Sequence, residues 1–101
     1  MDFPAACVDW DGTLFKDGHF QDQALGHAKK AAMQRGLPLV IWTGGDVKAV
    51  YKKLAETGID TIRVCRKQDC SGLKARWAMD DQSQQSLKDI YGIDVQEFEN
   101  V

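Results

Sequence analysis

Long apolar runs, a basic leader and an excess of positive charge are all missing from this 101-residue chain. No apolar segment approaches the roughly 20 residues that a membrane-spanning helix requires, so we expect no membrane span. The start, Met1 to Pro4, has no basic region and no long apolar stretch, so we expect no secretory signal and a cytoplasmic location. A formal net charge of −2 argues against broad electrostatic capture of nucleic acid.

Cysteine is scarce, and its spacing does not indicate a metal site. Cys7, Cys65 and Cys70 make an odd number, and no Cys-x-x-Cys pair or nearby histidine completes a zinc site. Cys7 and Cys65 lie in apolar segments, where cysteine usually acts as a small buried hydrophobic residue. We therefore expect reduced thiols.

The apolar pattern predicts one α/β domain over residues 1–101. Three segments have helical spacing: 22–35, about 46–58, and a last helix around Leu87, Ile90 and Tyr91. Short apolar runs predict strands at 5–8, 39–42, 61–65, 76–79 and, at one edge, 94–98. Residues 15–20, with a central Asp-Gly, predict a small hairpin. This alternation is typical of a Rossmann-like three-layer sandwich with a mainly parallel sheet and right-handed crossovers.

Two aspartates stand where the first strand runs into a glycine turn. Asp9 and Asp11 are two residues apart, so their side chains point to one face if the strand continues. Two close carboxylates are tolerable mainly when a divalent cation lies between them or one of them carries a proton. The pair therefore indicates a metal, an acid or both; the alternative is a solvated acidic turn.

Two other strand ends carry similar chemistry. Thr43-Gly44-Gly45-Asp46 follows the second strand and precedes a helix, an arrangement suited to anions. Asp80-Asp81 ends the fourth strand. In open parallel sheets ligands bind outside the carboxyl ends of the strands, so these clusters are expected to meet in one crevice.

With these motifs the chain resembles the haloacid dehalogenase (HAD) superfamily of phosphohydrolases. Asp9 to Leu14 match its first motif, Asp-x-Asp-Gly-Thr-Leu; Val40 to Gly44 match the second; Trp77 to Asp81 match the fourth. The resemblance spans nearly the whole chain and implies a HAD-like fold without a cap domain. It also implies a Mg²⁺-dependent phosphomonoesterase that works through an aspartyl-phosphate.

The resemblance assigns the chemistry to particular residues. Asp9 would be the nucleophile, and Asp11 the general acid and base. The second aspartate favours phosphate chemistry over carbon–halogen chemistry. Thr13, Thr43 and Gly44 would hold the phosphate.

The same resemblance implies a Mg²⁺ site made by Asp9, Asp80 and Asp81, with Asp11 contributing through its backbone carbonyl. Asp81 would bind directly or through a water. Hard oxygen ligands point to Mg²⁺ rather than zinc. The alternative for Asp80 and Asp81 is an acidic start to the last helix, and for Thr43 it is a plain helix N-cap.

Two lysines compete for the third motif, a cation beside the nucleophile. Lys67 directly follows the third strand and so is expected at the catalytic edge, where it would also bind phosphate. Lys74 precedes the fourth strand, and at about 3.3 Å per residue it is expected towards the opposite edge. We therefore choose Lys67.

The sequence also leaves other functions open. Many phosphatases have an arginine soon after Thr-Gly, where this chain has Gly45 and Asp46. This departure favours, as the alternative function, a catalytically weak module that binds phosphate or phosphoproteins. A receiver-like phosphoacceptor would place its acceptor on a middle strand, where this chain has Cys65. We expect His19 and His27 to be solvated; the alternative for His19, on the predicted hairpin, is contact with a leaving group.

The expected partner is a phosphorylated substrate. A cap normally encloses small substrates in the family, so an open site suits a phosphate on a macromolecule, with nucleic acid only as a phosphate-ended substrate. The oligomeric state stays open.

Overall fold

Five parallel strands form the central sheet in the computed structural model, which describes residues 4–70 and 74–101. The elements in chain order are β1 Ala5–Asp9, β2 Phe15–Lys16, β3 His19–Phe20, α1 Asp22–Arg35, β4 Leu39–Thr43, α2 Val47–Glu56, β5 Arg63–Arg66, a 3₁₀ helix Lys67–Cys70, β6 Lys74–Asp80, α3 Gln84–Tyr91 and β7 Asp94–Asn100. The strand order is β5-β4-β1-β6-β7, so β1 lies at the centre. The predicted α/β class and parallel sheet are confirmed.

The sheet separates two apolar layers. One buried cluster contains Val8 and Ile41 together with Leu25 of α1 and Leu54 of α2. The other contains Trp42 and, from α3, Leu87. Strands that are covered on both faces become nearly continuous apolar runs, which explains why β1 and β4 are conspicuous in the sequence.

Several element boundaries differ from the prediction. Helix α1 coincides with the predicted range and ends at Arg35, and its C-cap Gly36 has the left-handed φ of 63° that favours glycine at a helix end. Helix α2 ends at Glu56, before Gly58. Strand β5 begins at Arg63 rather than at residue 61. Strands β6 and β7 are each longer than predicted because they pair in parallel from Lys74 and Asp94 to their carboxyl ends.

The short antiparallel pair β2 and β3 is the predicted hairpin. Phe15 pairs with Phe20, and Lys16 with His19. The two turn residues, Asp17 and Gly18, have φ angles of 54° and 77°. Two successive positive φ angles are the requirement of the tight turn that Asp-Gly favours. The hairpin follows the Asp9 to Leu14 motif directly.

None of the helices in the described ranges is long and apolar enough to cross a membrane.

Candidate functional site

The carboxyl ends of neighbouring strands bring the predicted residues together at one edge of the sheet. Asp9 ends β1, Thr43 ends β4 and Asp80 ends β6, while Lys67 directly follows β5. All four residues are buried, which is unusual for such polar side chains unless they have partners.

Lys67 lies between two of the acids. Its Nζ is 3.0 Å from Oδ1 of Asp9 and 3.0 Å from Oδ2 of Asp80, and it donates a 2.8 Å hydrogen bond to Oε1 of Gln82. Burial alone lowers the pKa of Lys67, but the charges of Asp9 and Asp80 outweigh it and raise that pKa, so the amine stays protonated. Lys74, the competing lysine, begins β6 six residues before Asp80 and so starts at the opposite end of that strand.

Asp9 is fully buried and only partly satisfied. Its Oδ2 accepts a 3.2 Å hydrogen bond from the hydroxyl of Thr13. Its Oδ1 faces Lys67 but has no partner in hydrogen-bond geometry among the described residues. Burial raises the pKa of Asp9 to about 8, and the charge of Asp80 adds to the rise while Lys67 opposes it. The protein without a bound cation therefore resists ionising Asp9.

Asp80 accepts more hydrogen bonds than Asp9 does. Its Oδ1 accepts a 2.9 Å hydrogen bond from the backbone N–H of Gln82, and its Oδ2 accepts a 3.0 Å hydrogen bond from Nε1 of Trp42. Burial raises the pKa of Asp80, although the Gln82 amide and Lys67 both lower it in part. This carboxylate is held in one orientation from two sides.

Asp81 completes a group of three carboxylates. One oxygen each from Asp9, Asp80 and Asp81 lie within 4.8 Å of one another, and Asp81 is the exposed member. Gly12 makes room for it: a Cβ atom at Gly12 would lie 2.2 Å from Oδ2 of Asp81, and the Gly12 φ of 82° also disfavours a side chain. The glycine of the first motif therefore lets the fourth motif pack against the turn.

The hydroxyl of Thr43 joins the first and second motifs. It donates a 2.7 Å hydrogen bond to Oδ2 of Asp11 and accepts a 3.0 Å hydrogen bond from the N–H of Gly45. The N-cap of α2 is Asp46, whose side chain accepts from the N–H of Lys48. The alternative that Thr43 is the helix N-cap is therefore wrong. Gly44 lies in the turn between Thr43 and α2, where its carbonyl accepts from the side chain of Gln68.

The alternative interpretation of the acidic pair is also wrong. Asp80 is the last residue of β6, and α3 begins only at Gln84 with Ser83 as its N-cap. Asp80 turns back to Lys67 and Trp42 instead of capping the helix.

The group fits a divalent cation with oxygen ligands. When all are ionised, three carboxylates and the single ammonium of Lys67 leave two negative charges, the charge that one Mg²⁺ would balance. The buried Oδ1 of Asp9 has Lys67 as an ion-pair partner but no partner in hydrogen-bond geometry among the described residues, so it can still accept a cation. Asp9, Asp80 and Asp81 offer hard oxygen donors, which suit Mg²⁺.

The two histidines lie outside this group. His19 is an exposed residue of the hairpin. His27, also exposed, has its Nε2 2.6 Å from Oε2 of Glu99, which ties α1 to β7. That pairing was not predicted.

Sequence reasoning missed three residues that support the site. Trp42 and Gln82 contact Asp80 directly, and Asn100 binds the backbone around it. Gln82 was detectable only by its place next to the acidic pair. Trp42 lies in an apolar run, which is typical of a core residue. Nothing in the sequence pattern reveals the hydrogen bond that its ring nitrogen donates to Asp80.

Comparison with known proteins found no match for the chain among family models, curated proteins or solved structures. The functional conclusion therefore depends on the motifs and on the geometry described above.

Proposed function

We propose that the protein is a Mg²⁺-dependent phosphomonoesterase with a HAD-like fold that lacks a cap domain, and that Asp9 is its nucleophile. The observation that carries this proposal is the burial of Lys67 between Asp9 and Asp80, with Asp81 beside them. A buried ion pair of this kind contributes little to stability compared with apolar packing, so a functional role accounts for it better.

Asp9 would attack the phosphorus atom of the substrate with one carboxylate oxygen. The bond between phosphorus and the leaving oxygen breaks, and Asp11 gives that oxygen a proton. Asp11 then takes a proton from the water that attacks the aspartyl-phosphate, which releases phosphate and restores Asp9. General acid–base help of this kind typically contributes about 10²–10⁴-fold. Asp11 is exposed while Asp9 is buried, which suits a residue that must meet both the leaving group and water.

Asp9, Asp80 and Asp81 would hold Mg²⁺, with the backbone carbonyl of Asp11. When bound, this ion would supply positive charge against the phosphoryl oxygens and favour the ionised form of Asp9. Lys67 stays positively charged beside Asp9 and would neutralise the same oxygens from the other side.

The phosphate would bind through hydroxyl and amide donors. Thr43 has one hydroxyl proton, now given to Asp11, that would be redirected to a phosphoryl oxygen. Thr13, which now donates to Asp9, and the N–H of Gly44 would complete the cradle.

The substrate would be a phosphate group carried on a macromolecule. The site lies at the open edge of the sheet, and the only insertion between the first motif and α1 within the described residues is the small hairpin β2–β3. A cavity of about 430 Å³ adjoins the site, and its lining includes Gly12, Thr13 and Asp81. Lys16 and Gln21 add polar groups to its wall, as an anionic or polar substrate would need.

Turnover of a generic aryl phosphate tests the proposal. We expect hydrolysis by the wild-type protein that requires Mg²⁺, that Asp9→Asn abolishes, and that Asp60→Asn leaves unchanged as a control of equal charge. Asp60 precedes β5 and so lies at the amino edge of the sheet. Absence of turnover with the wild type across aryl, peptide and nucleic-acid phosphates would overturn the enzymatic proposal. Mg²⁺ and phosphate binding without turnover would favour the alternative, a phosphate-binding module.

A further inference from the structure

The last residue of the edge strand, Asn100, reaches the backbone that carries the acidic pair. It stands in register with Asp80 in the parallel pairing of β6 and β7. Its Nδ2 donates to the carbonyl oxygens of Asp80 and Gln82 at 3.1 and 3.0 Å, and lies 3.4 Å from that of Asp81. One amide group, with two hydrogens, thus serves three consecutive carbonyls.

Such convergence requires a bend. In an extended segment successive peptide groups point in opposite directions, so three consecutive carbonyls do not meet at one donor. Their dipoles also repel one another when they are brought together, and the Asn100 amide offsets that repulsion. The conformation of the segment 80–82, which we call the acidic bend, therefore depends on a donor at this position.

Every residue of the acidic bend has a part in the site. Asp80 and Asp81 provide two of the three clustered carboxylates. Gln82 orients Asp80 through its N–H and holds Lys67 through its side chain. A shift of the backbone at Gln82 would therefore move both the amine and the carboxylates that face it.

The strand that carries Asn100 is itself anchored. Arg35 of α1 binds Glu97, and His27 of α1 binds Glu99, both on β7. The N–H of Val101 also donates a 3.0 Å hydrogen bond to the carbonyl of Asp80. Asn100 is thus the carboxyl-terminal residue of an edge strand that pairs with β6 along its length and also contacts α1.

We propose that Asn100 is a positioning residue that holds the acidic bend in the geometry needed for Mg²⁺ binding; this inference rests on the proposed function. Loss of a hydrogen-bond partner behind metal ligands typically weakens metal affinity about 10–100-fold. We therefore expect Asn100→Asp, which keeps the shape but removes the donor, to weaken Mg²⁺ binding at least about tenfold.

The matched control is Gln96→Asp. Gln96 is an exposed residue of the same strand, with no side-chain hydrogen bond among the described residues, and its substitution adds the same charge. An added negative charge by itself would tighten Mg²⁺ binding, so the charge effect and the positioning effect have opposite signs. Asn100→Ala, which adds no charge to oppose the lost donor, should weaken binding at least as much as Asn100→Asp.

Calorimetric titration with Mg²⁺ alone provides the readout, with circular dichroism to establish that each variant is folded. Weaker binding in both Asn100 variants and unchanged or tighter binding in Gln96→Asp would support the inference. Affinity within twofold of the wild type in a folded Asn100→Ala protein would overturn it and leave the proposed function intact. A wild-type protein that binds no Mg²⁺ would overturn both.

A measurement on the native chain covers the case in which the variants do not fold. Asn100 is the only asparagine in the sequence, so labelling with ¹⁵N-asparagine gives a single side-chain amide in the NMR spectrum. We expect its protons to be protected from exchange with solvent and its resonances to shift on titration with Mg²⁺, with the affinity that calorimetry gives. An amide that exchanges like a free one and does not respond to Mg²⁺ would contradict the positioning role.

Discussion

The hydroxyl of Thr43 donates its only proton to the carboxylate of Asp11, at 2.7 Å. The bond joins residues that are 32 positions apart: Thr43 ends β4, and Asp11 lies two residues beyond the end of the neighbouring strand β1. In the proposed reaction these two groups have separate tasks, since Thr43 holds phosphate and Asp11 moves protons. In the protein without substrate, the carboxylate of Asp11 therefore accepts the hydrogen bond that Thr43 would give to a phosphoryl oxygen of the substrate.

This relationship predicts a split between binding and turnover in Asp11→Ala. Thr43 would be free to donate to inorganic phosphate, and one repelling charge would be removed. A hydrogen bond to a charged group is worth about 1.5–3 kcal/mol, so phosphate should bind at least about tenfold more tightly in the presence of Mg²⁺. Hydrolysis should fall about 10²–10⁴-fold. Calorimetry and steady-state kinetics, with Asp60→Ala as the control, check both; weaker phosphate binding would contradict the assignment.

Lys67→Met should affect both stability and activity. Removing the ammonium leaves Asp9 and Asp80 without their common cation, and breaking a buried ion pair typically costs about 3–5 kcal/mol. Chemical unfolding and aryl phosphate hydrolysis measure the two effects. The matched control is Lys74→Met, because Lys74 begins β6 about 20 Å from its carboxyl end at the rise of a β-strand. If Lys74→Met abolished turnover and Lys67→Met did not, the choice of lysine would be wrong.

Gly12→Ala should displace Asp81. A Cβ atom at Gly12 would lie 2.2 Å from the Asp81 carboxylate, and at Gly18 it would meet nothing within 4 Å. Both glycines have positive φ, so both substitutions to alanine should cost about 1–2 kcal/mol through backbone strain. Only Gly12→Ala should also weaken Mg²⁺ binding, which calorimetry would detect. Equal Mg²⁺ affinity in the two variants would argue against Asp81 as a ligand.

The raised pKa of Asp9 makes a prediction for stability without metal. Asp9 has an ordinary pKa of 3.8 when unfolded and about 8 in the folded protein, so the folded state favours the protonated form. The protonated form of Asp9 therefore contributes to the free energy of unfolding. This contribution is complete below the pKa of the unfolded state and is lost as the pH rises through the pKa of the folded state. The free energy of unfolding in chelator should therefore fall between pH 3.8 and about 8.

Denaturant unfolding at a series of pH values measures this fall. Asp9→Asn removes the titrating group, so its unfolding free energy should decline less over the same range. Saturating Mg²⁺ should reduce the decline in the wild type, because a cation that binds the ionised form stabilises it. Parallel pH profiles for the wild type and the variant, both without metal, would show that Asp9 does not titrate as described.

Much of the site could be predicted because its residues lie at or directly after the ends of strands. Asp9, Thr43 and Asp80 each follow a short apolar run, and parallel strands bring such ends to one edge. The same reasoning placed Lys67 at that edge, where the structure has it, and Lys74 away from it. Periodicity and chain direction are local properties of the sequence, which is why they succeed here.

The supporting contacts could not be predicted in this way. The bond from Trp42 to Asp80 depends on which ring edge faces the neighbouring strand, and the contact of Asn100 with the acidic bend depends on the register of β7 against β6. Register is set by the whole pairing and not by the residues that it brings together. The ends of α2 and β5 were displaced by one or two residues for a related reason, since element ends depend on tertiary contacts.

Detection of a phosphoryl group on Asp9 would test the proposed nucleophile without reliance on any other residue. The protein would be mixed with an aryl phosphate and Mg²⁺, quenched in acid within the first turnover, digested and analysed by mass spectrometry. We expect one added phosphoryl group on the peptide that contains Asp9, absent without Mg²⁺ and absent in Asp9→Asn. Turnover that persists in Asp9→Asn, with no phosphorylated peptide in the wild type, would contradict the assignment of Asp9 as the nucleophile.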